Sequence, residues 1–553
     1  MPNHTLRVIP LGGLGEIGKN MMALEYNRDI IVIDAGVLFP EEDMPGVDLI
    51  IPDISYLVQN RERVRAIFIT HGHEDHTGAL PYVLKELRVP VYAPRLACGL
   101  IAVKLKEHKV SKDIPLNEVT PGQPITEGPF NVEFFRVCHS IPDAMGLAIR
   151  TPVGLVVHTG DFKIDHTPMD GNPSDLAHLA SLCEDGTLLL LSDSTYAETP
   201  GYTPSERVVG EALDQAVGNA PGRVMIATFA SLITRVQQII DAAAKHGRKM
   251  SVVGRSMVNN VKMALDMGYL TDPDSVLVPL STLRKLPPEQ SVIVTTGSQG
   301  EPTSALVRIA NKDHREIQIM PNDTVIISAS PIPGNELVVS RTIDNLYRQG
   351  AQVLYDKVAT VHVHGHASRE ELKLMLNLTR PKFFVPIHGE YRHLVAHAEL
   401  ARQMDVQPEN AFILEDGDVL ELSETEGRVT GTVPAGHVYI DGLQMWDIKS
   451  GVLKDRRALS HDGIVVVTLV LDKKTGRVLG RPKVASSGFV DLDTYPDLME
   501  QAAQAVLESA NNGVPGQPLD LNDVSAKVKV TLGSFLYNET RLRPQIISVP
   551  VQV

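Results

Sequence analysis

Ala66-Ile67-Phe68-Ile69-Thr70-His71-Gly72-His73-Glu74-Asp75-His76-Thr77 is the stretch on which the reading of this chain turns. Residues 66–70 predict a buried strand and residues 77–87 a helix, which leaves the histidines in the loop between them. Spacing of i, i+2 in an extended loop turns His71 and His73 to one side. Asp75 and His76 fall where the chain enters the helix and can face a second ion. A lone surface histidine carries no such message. Three histidines and an aspartate at one strand end gain nothing from packing and would repel one another if protonated. One loop could therefore serve two adjacent metal ions.

Single candidates stand at the ends of other β-rich runs: Asp34, His139, Asp161, Asp193, His366 and His388. Each alone reads as a cap, a turn residue or a satisfied core histidine, but the set is far more specific. From Leu6 to about Tyr196 short strands alternate with polar loops. Beyond Pro200 helix and strand alternate: helices at 203–220 and 231–246, strands at 223–229, 292–296, 323–328 and 351–355. That pattern predicts a parallel sheet. Strand-like runs and histidines return over 361–422, so the α/β stretch reads as an insertion. The expected division is 1–200 for the first part of the site-bearing domain, 201–359 for the inserted domain, 360–445 for the second part and linker, and 446–553 for a small C-terminal α/β domain. In the last, a strand at 464–471, a turn at 473–476, a helix at 497–510 and a strand at 526–532 are expected.

At 553 residues the chain exceeds what one hydrophobic core usually serves. Its 52 Lys and Arg against 67 Asp and Glu leave a net charge of −15, which argues against coating nucleic acid by bulk charge. A phosphate-bearing partner must be held locally. The three cysteines, Cys98, Cys138 and Cys183, are too few and scattered for a disulfide framework, so a reducing cytoplasm is expected. Residues 1–7 show no secretory signal, and the apolar run at 464–471 is too short to span a bilayer, so no membrane association is expected.

Gly13-Leu14-Gly15-Glu16-Ile17-Gly18 matches the dinucleotide-binding pattern, with Asp34 following at a compatible distance. That fingerprint needs a helix to open in the loop, whereas residues 20–26 and 30–33 read as strands. A tight glycine turn is the expectation, with no nicotinamide site.

The HxHxDH loop followed by single His, Asp and His at strand ends resembles the metallo-β-lactamase superfamily. That resemblance implies a four-layered αββα sandwich with a dinuclear centre at its edge. By residue matching it gives His71, His73 and His139 to one metal and Asp75, His76 and His388 to the other, with Asp161 bridging and Asp34 orienting the ligands. Asp193, the segment His362-Val363-His364-Gly365-His366-Ala367-Ser368 and His388 resemble the three extra motifs of the β-CASP nucleases, whose additional α/β domain lies at this place. The fold class so implied is α/β, a metallo-β-lactamase αββα sandwich with an inserted β-CASP parallel α/β domain and a small C-terminal α/β domain. Residues 12–20, 138–143, 228–231, 296–302 and 389–393 are similar to the bacterial ribonuclease J family, from near Leu6 to the C-terminal domain.

The resemblance implies a metal-dependent phosphodiesterase with 5′-to-3′ exonuclease and endonuclease activity on single-stranded RNA, acting in RNA maturation and mRNA decay. It implies two Zn or Mn ions per subunit, a 5′-monophosphorylated substrate and a homodimer supported by the C-terminal domain. Two divalent ions would lower the pKa of a water between them and neutralise the scissile phosphate. His366 is expected to protonate the leaving 3′ oxygen, with Asp193 orienting it and Asp75 completing the catalytic set. Phosphate contacts are expected from Ser231, from His362, Val363, His364, Gly365, His366, Ala367 and Ser368, and from Gly297 to Gly300. His364 departs from the serine of many relatives. The rival readings are a β-CASP nuclease acting on DNA, a small-molecule metallohydrolase, a diiron redox protein and an inactive RNA scaffold. The small-molecule reading leaves the insertion without a use, the diiron reading conflicts with His73, and the scaffold reading requires ligands to be lost.

Overall fold

The computed structural model describes residues 5–41, 44–111, 113–298, 304–331, 335–442, 444–447, 451–473, 475, 477–511 and 521–553. Two units result, one of Met1–Phe39 with Ile50–Val438 and one of Pro40–Leu49 with Tyr439–Val553.

In the first unit an eight-stranded and a six-stranded sheet share one core. Leu24, Ile31 and Phe68 of one sheet meet Phe134, Leu147, Leu189 and Val385 of the other. Strand pleating sends neighbouring residues to opposite faces, so Phe135, Leu190 and Phe384 join a different core under the helices Arg369–Thr379 and Tyr391–Gln403. Burial on both faces explains why these strands read as continuous apolar runs. A separate five-stranded sheet, in the order Lys249–Val253, Ser291–Thr295, Val224–Ala227, Thr324–Ile327 and Gln352–Leu354, is parallel throughout. Its strands all lie between Thr187–Asp193 and Pro381–Ile387, which themselves pair in parallel within the six-stranded sheet. No helix opens in the glycine loop. A two-residue strand, Leu14–Gly15, pairs there with Gly389–Glu390, and Gly13, Gly15 and Gly18 adopt positive φ.

In the second unit Ile464–Leu471 lies between Lys483–Ser487, antiparallel, and Gln545–Gln552, parallel. One expectation needs correction here. Residues 526–532 are not a strand but part of the helix Leu521–Thr540. The alternation Lys527-Val528-Lys529-Val530 mimics a strand, yet Val528, Leu532 and Leu536 are buried at helical spacing while Val530 is 70% exposed. The strand Gln545–Gln552 is an addition to the expected elements. Pro550 argues against a strand, but this one lies at the sheet edge, where proline is tolerated. Of the expected turn at 473–476, Lys474 and Gly476 lie outside the described residues. Among the described residues no helix is long and apolar enough to cross a membrane.

Candidate metal centre

Parallel strand ends position this site. Asp29–Ile33 and Val64–Phe68 run in parallel and lead to Asp34 and His71, while Gly154–His158, Thr187–Asp193 and Pro381–Ile387 lead to Asp161, Asp193 and His388. Phe130–Arg136, two antiparallel steps from Gly154–His158, points the same way and delivers His139. The chain accepts strain to present these groups, since Asp34 and His388 hold left-handed φ of 61° and 53°. Gly36 is required for close approach: a Cβ there would lie 1.6 Å from the carbonyl oxygen of Asp75.

Donor atoms of His71, His73, His139 and Asp161 form one convergent group, and those of Asp75, His76, Asp161 and His388 a second, each within 4.8 Å. Asp161 belongs to both. His73 Nδ1 is 3.1 Å from both His71 Nε2 and His139 Nε2. Asp161 Oδ2 lies 3.1 Å from His76 Nε2, 3.4 Å from His388 Nε2, 3.6 Å from His71 Nε2 and 3.7 Å from His139 Nε2. Asp75 Oδ2 is 3.6 Å from both His76 and His388. Surrounding groups orient the rings. His76 Nδ1 donates to Asp34 Oδ2 at 2.7 Å and His139 Nδ1 to the Gly365 carbonyl at 2.7 Å, which turns each Nε2 inward.

Burial holds His71 and His139 well below the usual histidine range and His73 at about 4. These rings are neutral, with lone pairs crowded round a carboxylate. Asp161 is held well below its ordinary value, its burial outweighed by His388 and His76. Both ring nitrogens of His388 are buried without a hydrogen bond. The orphaned His388 nitrogens and the neutral histidines crowded round the Asp161 carboxylate fit divalent cations of the zinc or manganese type.

Beside these groups His366 Nδ1 donates to Asp193 Oδ2 at 2.8 Å. Burial alone would lower the His366 pKa, but Asp193 outweighs it and lifts the ring to about 9, so His366 is protonated at neutral pH. A cleft of about 620 Å³ runs past the loop, with Gly72, Glu74 and Lys104 on one wall and Ser231, Arg255 and Arg308 on the other.

The segment 362–368 is not a strand end but irregular chain. Val363 and Ala367 turn into separate apolar cores, so their side chains are not substrate contacts. Ser368 is buried, with its hydroxyl 2.9 Å from Thr203 Oγ1 and its N–H donating to Glu371. The Gly365 carbonyl is taken by His139. His362 has a buried Nδ1 without a hydrogen bond, and burial lowers it to about 3. His364 stacks on Tyr196 and is lowered by burial to about 4. Gly297 is described, whereas Gln299 to Pro302 lie outside the described residues.

Supporting residues escaped the sequence reading. Thr70 Oγ1 sits between Asp34 at 2.9 Å and His71 at 3.0 Å, and Asn20 Nδ2 donates to the Asp75 carbonyl. Arg235, fully buried, binds Glu206 and the Val361 carbonyl. Only Glu371 carried a local signal, the Ser-x-x-Glu of a capping box.

A two-sheet core, strand-end histidines and a five-stranded insert define a metallo-β-lactamase-fold protein of the β-CASP class. Residues 14–226 match the family described as "Metallo-beta-lactamase superfamily", 221–346 "Ribonuclease J, beta-CASP domain", 351–414 "Zn-dependent metallo-hydrolase RNA specificity domain" and 451–553 "Ribonuclease J C-terminal domain". The chain is 42% identical to Ribonuclease J2 of Bacillus subtilis over 550 residues, covering 100% of this chain and 99% of that protein. It is 45% identical to Ribonuclease J of Thermus thermophilus over 561 residues, covering 100% and 96%. A crystal structure of a protein of unknown function from Enterococcus faecalis shares the fold at a TM-score of 0.52 and 18% identity, covering 76% of this chain and 100% of that one. The chain belongs to the ribonuclease J family.

Proposed function

We propose that this chain is a hydrolytic ribonuclease using two divalent ions, Zn or Mn, on single-stranded RNA. One observation carries the reading: two donor groups share Asp161 and stand beside the His366–Asp193 pair, and the loop that supplies His71 to His76 also lines, through Gly72 and Glu74, a cleft bearing Lys104, Arg255 and Arg308. His71, His73 and His139 would hold one ion and Asp75, His76 and His388 the other, with Asp161 between them. Such ions supply neutralisation of the scissile phosphate and a more acidic attacking water. Asp193 fixes the His366 ring through Nδ1, which leaves the Nε2 proton for the leaving 3′ oxygen. Arg255, Arg308 and Ser231 guide the phosphate backbone locally, which reconciles RNA binding with a net charge of −15.

The division into 1–200, 201–359, 360–445 and 446–553 belongs to the same proposal, as do the 5′-to-3′ and internal cleavage modes, 5′-monophosphate preference, cytoplasmic roles in RNA maturation and mRNA decay, and a homodimer. Support for the dimer is an apolar sheet face in the second unit, where Ile547, Val549 and Val551 are each more than 40% exposed. The relatives' names disfavour DNA or a small molecule as substrate. The test is Mn²⁺-loaded protein with RNA of one sequence carrying a 5′-monophosphate or a 5′-triphosphate. Faster loss of nucleotides from the monophosphorylated end is expected. Equal rates remove the end preference, and no cleavage of either RNA overturns the ribonuclease reading.

A further inference from the structure

We propose that His364 determines sugar specificity, its Nε2 accepting a hydrogen bond from the 2′-hydroxyl of a ribose beside the scissile phosphate. The inference rests on the ribonuclease reading above.

Two contacts fix the ring. Tyr196 stacks on it at 3.6 Å between centroids and 6° between planes, and Nδ1 lies 2.9 Å from the carbonyl oxygen of His366. A carbonyl only accepts, so Nδ1 carries the hydrogen. The ring is neutral, and its remaining nitrogen therefore presents a bare lone pair. Nε2 has no hydrogen-bond partner among the described residues, and the half-buried ring is not sealed from solvent.

The His364 ring is linked to the reacting centre through Tyr196 and His366. The Tyr196 ring is also 5.9 Å from that of His366, which in turn is 4.9 Å from His139 and 5.5 Å from His388. A phosphodiester oxygen carries no proton at neutral pH, so the lone pair repels it. The expected phosphate contact at His364 is thus chemically unsuited to the ring as it is held. A ribose offers a donor, the 2′-hydroxyl, which DNA lacks. Base N–H groups are donors too, but they change from nucleotide to nucleotide, whereas every RNA step repeats the hydroxyl. An enzyme that removes successive nucleotides needs the repeating contact. A site built to accept from a hydroxyl disfavours the analogue without it, because the acceptor is then left unpaired.

The experiment uses full-length, Mn²⁺-loaded protein and one RNA carrying a single 2′-deoxy substitution, moved through the nucleotides around a defined cleavage site. Cleavage about tenfold slower at one position is expected. His364→Phe, which keeps an aromatic ring against Tyr196, should cleave the all-ribose RNA as slowly as the substituted one and ignore the substitution. Full-rate cleavage at every deoxy position, or a His364→Phe protein that still distinguishes ribose from deoxyribose at the sensitive position, overturns the inference while leaving the ribonuclease reading intact. Absence of RNA cleavage by the unaltered protein overturns that reading instead. The deoxy scan is made on the unaltered protein, so full-rate cleavage at every position overturns the inference even where the variant fails to fold.

Discussion

The loop His71–His76 and the segment His362–Ser368 meet at the same cluster but are held there in different ways. The first follows the strand Val64–Phe68, which pairs with Asp29–Ile33 on one side and Val91–Ala93 on the other, so a backbone ladder sets its place. No strand holds the second. Arg235 and Ser328 grip the Val361 carbonyl at 3.0 and 2.6 Å, Thr203 Oγ1 the His366 carbonyl at 2.8 Å, and Glu371 the Ser368 N–H at 2.8 Å. A ladder shares the load over many bonds. A set of individual side-chain contacts loses much of its hold when one is removed, so the two loops should answer mutation differently.

The largest contrast is expected from His76→Ala. The ladder remains, so the protein should stay folded by circular dichroism while RNA cleavage disappears; cleavage retained at saturating Mn²⁺ would break the assignment of this loop. In the second segment Glu371→Ala should act chiefly through stability. Its carboxylate, fully buried, accepts from the backbone N–H groups of Ile164 at 2.7 Å, Thr203 at 2.8 Å and Ser368 at 2.8 Å. Leaving them unpaired costs about 3 kcal/mol or more, read by urea unfolding, and cleavage should fall along with it. A Glu371→Ala protein as stable as the parent would show that the segment does not depend on single contacts.

The smallest effect sharpens the same comparison at the floor of the second segment. His397 Nδ1 is 3.0 Å from Ser194 Oγ, next to Asp193, and burial lowers the ring to about 3. Below pH 6.5 the unfolded chain binds a proton that the native ring refuses until about pH 3. Native stability from this group therefore falls as pH falls through that window, by about 1.4 kcal/mol per pH unit. His397→Phe should remove this slope, so unfolding free energies of the two proteins measured from pH 6 to 4 should diverge. Parallel curves would show that the native ring takes up its proton as readily as the unfolded one.

Much of the site was legible because its signals are local. His71, His73, Asp75 and His76 lie within one loop, and Asp34, His139, Asp161, Asp193 and His388 each stand just beyond a β-rich run. Residues 526–532 read as a strand because Lys527 to Val530 alternate like one, and only packing of Val528, Leu532 and Leu536 on one face settles the period as helical. Val363 and Ala367 looked like site residues by adjacency, yet their side chains serve two different cores. Arg235 is hidden because its carbonyl partner at Val361 lies 126 positions away along the chain, and of the Glu371 contacts only the capping box with Ser368 is local, whereas Ile164 lies 207 positions away.

By itself the amino-acid sequence determined the order of strands and helices up to the last helix and edge strand, and the chemistry at the strand ends, since both follow from short-range periodicity and side-chain type. The tertiary structure alone decided which of those ends face one another, which ring nitrogens turn inward, and that His366 rather than His364 carries charge. Those outcomes depend on burial and on carboxylates brought close by parallel pairing of distant strands, such as the alignment of Asp193 with Ile387.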